Sequence, residues 1–263
     1  MSIENKRRKK AKRRTTKYRI TKKTVIILII TVLILFILSK GVSLALEYSK
    51  VNDPPKDNLP YPVRGVDISH YQGKVDWNTL SKNEISFAFI KATEGSGHLD
   101  KNFQKNWDEA HKTNLKIGAY HFMSFETSGE EQAKNFIKHV KKEKGMLPPV
   151  VDVEYYGKFI GKPPERNVIY STLDPLLEKL EREYNQKPII YVNTAMYKKY
   201  IQGRYDNDIW LADLSAPESL PDGKNWEFLQ YSFKGKLKGY SGYLPHLDLN
   251  AYNGSKLDFI TKY

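Results

Sequence analysis

The 263-residue sequence contains no cysteine. This absence excludes a disulfide framework, a thiolate nucleophile and a cysteine-ligated zinc site. The six histidines include no pair at the H-x-x-x-H spacing that holds a metal on one face of a helix. We therefore expect neither a metal site nor a cofactor.

Excess positive charge is absent outside the amino-terminal segment. The formal net charge is +13, but residues 1–23 hold twelve lysines and arginines and a single acid, Glu4. The remainder is nearly balanced, with 31 basic and 29 acidic residues. A basic groove for nucleic acid is therefore not indicated beyond residue 23, and we expect no nucleic-acid partner.

Long apolar runs are represented by one segment, residues 24–39, which carries no charge. Together with residues 40–46 it reaches the roughly 20 residues that a membrane-spanning helix needs. We predict an uncleaved signal anchor at residues 24–46. A cleaved signal peptide stays the alternative, because Ser43-Leu44-Ala45 resembles a small-x-small cleavage site. Either reading leaves the basic end in the cytoplasm and exports the rest of the chain.

Four segments follow from this pattern. Residues 1–23 form a basic cytoplasmic tail that can contact membrane lipid. Residues 24–46 form the single-pass anchor in the cell membrane. Residues 47–62 contain four prolines and mixed charge, which is typical of a stiff extended linker. Residues 63–263 form the exported, extracellular domain.

Short apolar runs alternate with helical patterns in residues 63–263. The predicted strands are residues 64–68, 87–91, 117–121, 150–154, 189–192, 209–212, 228–231 and 247–249. The predicted helices are residues 102–113, 129–144, 168–184 and 195–200. This alternation predicts an α/β fold with a mostly parallel sheet, closed as an irregular TIM-like β/α barrel of about eight strands. The last third is poor in helical patterns, and one transmembrane helix precedes the barrel.

Two acids end the fourth predicted strand, in Val150-Val151-Asp152-Val153-Glu154. Alternation along a strand points Asp152 and Glu154 toward the same face. Adjacent carboxyls oppose each other's ionisation, so one can hold a proton while the other is charged, as a glycosidase requires. The alternative is a strand end with two solvated acids.

Polar and aromatic residues also follow the other predicted strands, where a β/α barrel places its chemistry. Acids and amides bind sugar hydroxyls, and aromatic faces cover the apolar side of a sugar ring. The candidates besides the D-x-E pair are Asp67, Glu94, Tyr120, His121, Tyr191, Trp210, Gln230, Tyr231 and Asp248. The structural alternatives are caps or turns for Asp67 and Asp248, a packed His121 and a core Trp210.

Several blocks of the sequence resemble the family 25 glycoside hydrolases, lysozyme-type N-acetylmuramidases, over essentially all of residues 63–263. They are RGVDISHYQG at residues 64–73, VDW at 75–77, FIKATEG at 89–95, GAYHF at 118–122, DVE at 152–154 and LDLN at 247–250. Four residues at three places depart from the family pattern: Tyr71, Leu229 and the Asp213-Leu214 pair. They affect sugar stacking and leave the acids intact.

The resemblance implies a modified β/α barrel that cleaves the β-1,4 bond between N-acetylmuramic acid and N-acetylglucosamine in peptidoglycan. It further implies that Glu154 is the acid, Asp152 its partner, and Asp67 and Asp248 the other two pocket acids. Whether the substrate's acetamido group assists or a carboxylate activates water stays open. The alternative functions are a non-catalytic wall-binding tether and a chitinase-like hydrolase with the same D-x-E chemistry.

Overall fold

The computed structural model describes residues 31, 34–36, 39–40, 59–241 and 246–263. The chain divides into two units, Met1–Asp53 and Pro54–Tyr263. Within the first unit, the described residues are helical. The predicted tail at residues 1–23, and most of the predicted anchor and linker, lie outside the described residues. Across the part of the chain that is described, no helix has the length and apolar character needed to cross a membrane.

The second unit is built on a closed sheet of eight strands. In chain order they are β1 (Arg64–Ile68), β2 (Phe87–Glu94), β3 (Lys116–Phe122), β4 (Val150–Asp152), β5 (Ile189–Asn193), β6 (Ile209–Ala212), β7 (Phe228–Gly235) and β8 (Leu247–Tyr252). Strands β1 to β7 pair in parallel with their neighbours in chain order, and β8 pairs antiparallel with both β7 and β1. The predicted eight-stranded α/β barrel is therefore confirmed.

Four main helices accompany the barrel. They are α1 (Phe103–Ala110), α2 (Gly129–His139), α3 (Arg166–Tyr184) and α4 (Lys256–Lys262). The helix predicted at residues 195–200 is present as two consecutive segments, the short α-helix Thr194–Met196 and the π-helix Tyr197–Ile201. Helix α4 was not predicted, although Ser255 and Asp258 form a capping box at its start.

Side-chain alternation divides the core between the inside and the outside of the barrel. Val66, Ala88 and Ile90 belong to the larger core cluster, while Phe87 and Phe89 belong to a second, aromatic cluster. Members of this aromatic cluster occupy the barrel interior, where Phe89 stacks on the Trp210 ring at 4.5 Å between ring centroids. Close packing leaves no room for a side chain at Gly65 or Gly118, because an added Cβ would lie 2.5 Å and 2.7 Å from the Phe87 and Phe89 rings.

Strand β4 is shorter than predicted and ends at Asp152 rather than Glu154. The backbone nevertheless stays attached to β5, since Val153 N donates to Tyr191 O at 2.9 Å. Val151 and Val153 are both fully buried in the core. Asp152, which lies between these two valines, and Glu154, which follows them, therefore point together toward the barrel interior, as the alternation predicts.

Candidate active site

A pocket of about 240 Å³ lies at the carboxyl ends of the parallel strands. Every barrel strand except β2 contributes a side chain to the pocket lining. Glu154, which lies just after the end of β4, contributes another. The lining residues are Asp67, Tyr120, Asp152, Glu154, Tyr191, Trp210, Gln230, Phe233 and Asp248. Eight of the predicted candidates, including all four predicted catalytic acids, are thus brought together in one pocket.

Asp67 is held by two amide groups whose orientations are fixed by other side chains. Gln230 Nε2 donates to Asp67 Oδ2 at 3.0 Å, and Tyr191 OH donates to Gln230 Oε1 at 2.8 Å. Asn250 Nδ2 donates to the same Asp67 oxygen at 2.8 Å, while Trp210 Nε1 donates to Asn250 Oδ1 at 2.8 Å. Because both amides present their N–H groups, the environment favours a negative charge on Asp67.

Asp248 carries a proton beside this anion. Burial raises the pKa of Asp248 to about 9, and the charge of Asp67 and a hydrogen bond to it act in the same direction. Burial also raises the pKa of Asp67, but hydrogen bonds from Asn250, Gln230 and Asp248 oppose that rise. We therefore assign the shared proton to Asp248, which donates to the Asp67 carboxylate near neutral pH.

Asp152 and Glu154 form a second coupled pair. Burial raises the pKa of Glu154 to about 7, with the charge of Asp67 adding to the rise and Lys91 opposing it. Burial also raises the pKa of Asp152 well above its ordinary value, and the charge of Glu154 adds to that rise. Because each ionisation disfavours the other, the two carboxyls titrate as a pair and share a proton near neutral pH.

One oxygen of this pair lacks a hydrogen-bond donor. Asp152 is buried, and its Oδ1 has no hydrogen-bond partner within the described residues. A buried polar atom without a partner costs free energy until a donor reaches it. The pocket therefore combines a protonated carboxyl, an acceptor that lacks a donor, and aromatic walls from Tyr120, Tyr191 and Trp210.

Three of the predicted substrate-binding residues lie outside this pocket lining. Both ring nitrogens of buried His121 are engaged, Nδ1 with Thr93 Oγ1 at 2.7 Å and Nε2 with Gln132 Oε1 at 3.0 Å. The same burial lowers the pKa of His121 to about 4, so the ring is neutral. Its strand position turns the side chain to the outer face of the sheet, opposite Tyr120.

Glu94 and Tyr231 are the other two predicted substrate-binding residues that lie outside the pocket lining. Glu94 accepts from Lys91 Nζ at 2.8 Å and does not line the pocket. Tyr231 is buried in the larger core cluster, because it follows Gln230 on β7 and faces the other side of the sheet. Alternation allows only one of Gln230 and Tyr231 to face the pocket, and the structure places Gln230 there.

Sequence analysis missed three residues at or beside the pocket: Lys91, Phe233 and Asn250. Phe233 lines the pocket because β7 runs four residues past its predicted end. Lys91 and Asn250 could have been found from alternation, since Phe89 and Asp248 face the interior two residues earlier. In the described ranges, 59–241 and 246–263 included, no group of three or more His, Asp or Glu is placed to hold a metal ion.

Comparisons with known proteins agree with this geometry. A family model described as glycosyl hydrolases family 25 matches residues 66–240. A solved family 25 glycosyl hydrolase from Bacillus anthracis superposes with a TM-score of 0.75 at 42% identity, covering 80% of this chain and 97% of that one. The matched family stretch ends before Asp248 and Asn250, and the structure places both residues at the site.

Two curated relatives show the same likeness at the level of sequence. An N,O-diacetylmuramidase from Chalaropsis sp is 36% identical over 207 residues, which is 70% of this chain and 97% of the relative. Lysozyme M1 from Streptomyces globisporus is 29% identical over 212 residues, which is 73% of this chain and 68% of the relative.

Proposed function

The chain belongs to glycosyl hydrolases family 25, and we propose that it is a lysozyme-type N-acetylmuramidase acting on peptidoglycan. It is a glycoside hydrolase, and the bond cleaved is the β-1,4 linkage between N-acetylmuramic acid and N-acetylglucosamine. The observation that carries this proposal is the pair Asp152 and Glu154, which share a proton in a pocket with two further acids. The muramidase and lysozyme relatives support the substrate class.

Glu154 is proposed as the general acid. As the bond from the sugar's anomeric carbon to the bridging oxygen breaks, Glu154 transfers its proton to that oxygen. The pKa of about 7 leaves this carboxyl substantially protonated near neutral pH. Water then bonds to the anomeric carbon as the bond from that carbon to the substrate's acetamido oxygen breaks, and the Glu154 carboxylate accepts a proton from this water, which restores the acid.

Asp152 is proposed to hold the substrate's own 2-acetamido group. Its unpartnered Oδ1 can accept a hydrogen bond from the acetamido N–H, while the acetamido oxygen attacks the anomeric carbon. That hydrogen bond favours the charged form of Asp152 and moves the shared proton to Glu154. Substrate binding would therefore place the shared proton on Glu154 before the glycosidic bond breaks.

The test is digestion of purified peptidoglycan by the full chain in detergent, with Glu154→Gln as the matched inactive variant. Borohydride reduction followed by mass spectrometry identifies which sugar carries the new reducing end. Reduced N-acetylmuramic acid supports the proposal, whereas reduced N-acetylglucosamine would identify cleavage of the other linkage. Binding to walls with no released fragments would indicate the tether function instead, and cleavage of chitin oligomers alone would indicate a chitinase.

The second part of the proposal is attachment to the cell membrane by residues 24–46, with the enzyme domain outside. The uncharged apolar run behind twelve basic residues supports this reading. Protease treatment of intact cells and, separately, a carbonate wash of isolated membranes test it. We expect the domain to be accessible to the protease and the chain to stay in the washed membranes. Recovery of the full-length chain in the carbonate supernatant would contradict the proposal.

A further inference from the structure

Lys91 places a cation against the acid pocket. It lies on β2, the one barrel strand that contributes no pocket-lining side chain, and its side chain is 11% exposed. Phe87 and Phe89 occupy the barrel interior, so alternation along β2 turns Lys91 toward the same interior. Its register partner on β3 is Tyr120, which lines the pocket.

Two contacts fix the position of the Lys91 ammonium group. Nζ donates to Glu94 Oε2 at 2.8 Å and lies 4.8 Å from the centroid of the Phe122 ring. Phe122 is the register partner of Glu94 on one side and of Asp152 on the other. The ammonium group therefore lies beside Phe122, the residue that pairs in register with Asp152.

Lys91 nevertheless leaves Asp152 Oδ1 without a donor. Its influence on the acids is exerted through space, in a buried environment where charges are weakly screened. Burial and the charge of Glu154 raise the pKa of Asp152, and Lys91 opposes them. Burial and Asp67 raise the pKa of Glu154, and Lys91 again opposes them.

We propose that Lys91 is a positioning residue, which acts through space to keep the Asp152–Glu154 pair at a single proton. In the same arrangement Glu94 holds the ammonium group away from Asp152 Oδ1, leaving that oxygen for the substrate's acetamido N–H. The inference rests on the proposed function for the identity of that N–H. The arrangement of charges itself does not depend on the substrate.

The reason for such an arrangement is the sign of the surrounding charge. The titratable groups that face the pair are Asp67 from β1, Glu94 from β2, Tyr120 from β3, Tyr191 from β5 and Asp248 from β8. None of them is a cation: the charges of Asp67 and Glu94 oppose ionisation of the pair, and Lys91 favours it. A direct bond from Lys91 to Asp152 would supply the charge but occupy the acceptor.

Three variants of the full chain separate these effects. Lys91→Met removes the cation and keeps the stem over Phe122, Lys91→Arg keeps the cation, and Glu94→Gln releases the ammonium group. Carbon-13 NMR of labelled side-chain carboxyls follows the titration of Asp152 and Glu154 with no substrate present. This measurement stays informative even if the wild-type chain fails to cleave walls, so failure of the proposed function is seen separately.

Lys91→Met is expected to raise both midpoints by about 1 pH unit or more, since it removes an opposite charge. Lys91→Arg is expected to leave them near the wild-type values. Glu94→Gln is expected to lower the Asp152 midpoint, because it removes a negative charge and frees the cation. Lys105→Met and Glu109→Gln, which break an exposed ion pair on α1, are the controls and should change neither midpoint.

Activity provides the second readout. The pH profile of kcat/KM should move to higher pH in Lys91→Met and to lower pH in Glu94→Gln. Glu94→Gln should also reduce kcat by about tenfold, because the freed ammonium group competes for Asp152 Oδ1. If Lys91→Met does not fold, the other two variants still test the proposal. It requires a lower Asp152 midpoint in Glu94→Gln and midpoints near the wild-type values in Lys91→Arg. Midpoints that move in the same direction in Lys91→Met and Glu94→Gln would overturn the proposal.

Discussion

Trp210 Nε1 donates a hydrogen bond to Asn250 Oδ1 at 2.8 Å, and this contact decides which end of the Asn250 amide faces the acids. The indole N–H can only donate, so the amide oxygen must face Trp210. The amide nitrogen is then directed at Asp67 Oδ2, 2.8 Å away. A side chain that sequence analysis assigned to sugar contact thus also orients a donor to a buried carboxylate.

Trp210→Phe should therefore weaken both stability and catalysis. The ring still packs on Phe89, but Asn250 Oδ1 loses its partner while fully buried. We expect the free energy of unfolding to fall by about 1–3 kcal/mol and kcat/KM to fall by about tenfold or more. Denaturant titration and muropeptide release measure the two effects.

Trp77→Phe is the matched control for this variant. Trp77 Nε1 also donates to a buried asparagine, Asn106 Oδ1 at 3.2 Å, but does not line the acid pocket. Its loss should lower stability and leave kcat/KM unchanged. Equal losses of kcat/KM in both variants would show that the catalytic effect of Trp210→Phe is only a consequence of destabilisation.

Glu154→Gln is expected to reduce kcat by about 10²–10⁴-fold, because the isosteric amide cannot donate a proton to the leaving oxygen. Substrate affinity should change little, since the side chain keeps its size and polarity. Glu178→Gln, an exposed acid on α3, is the control and should retain wild-type kcat. Activity of Glu154→Gln within a few-fold of wild type would remove Glu154 from the acid role.

The pH dependence of kcat/KM should show a descending limb near pH 7. Glu154 must be protonated to act as the acid, and burial sets its pKa at about 7, so deprotonation above that pH removes the active form. Initial rates on soluble muropeptides between pH 5 and pH 9 measure the limb. A profile that stays flat to pH 9 would contradict the assignment.

The role of Asp152 predicts the stereochemistry of the first product. If Asp152 holds the substrate's acetamido group while it attacks, two displacements occur and the β configuration is retained. Proton NMR during the first minutes of hydrolysis, before mutarotation, distinguishes the anomers. An initial α product would instead require a carboxylate-activated water.

The barrel and most of its pocket were predictable because both follow from short-range rules. Alternation placed Asp152 and Glu154 on one face. The rule that barrels place catalytic residues at strand ends identified Asp67 and Asp248 as further candidates. These rules do not say which of two adjacent residues faces inward when a strand's limits are uncertain. His121 and Tyr231 were assigned to the site for that reason, although each faces outward.

Side-chain partnerships were the part that could not be read from sequence. The contact between Lys91 and Glu94 spans a break in the β2–β3 register, after Lys91 and before Thr93. Such a break changes which residues lie side by side, and no local pattern marks it. Asn250 and Gln230 likewise depend on donors from strands β5 and β6, far away in the chain.

The protonated Asp248 predicts that the protein loses stability as the pH rises. Its folded pKa of about 9 lies above the ordinary value of 3.8, so the folded state binds the proton more tightly than the unfolded state. The resulting stabilisation is complete below pH 4 and is lost as the pH rises toward 9. For this one group the slope is about 1.4 kcal/mol per pH unit within that window.

Asp248→Asn should remove that share of the slope, because the amide keeps a donor to Asp67 and does not ionise. The free energy of unfolding, measured by denaturant titration at pH 6, 7.5 and 9, should therefore decline less steeply in the variant than in wild type. Asp206→Asn is the control, since Asp206 is exposed and its pKa is lowered by Lys187, so it does not titrate in this window. Parallel stability curves for wild type and Asp248→Asn would mean that the proton of this pair is not held by Asp248.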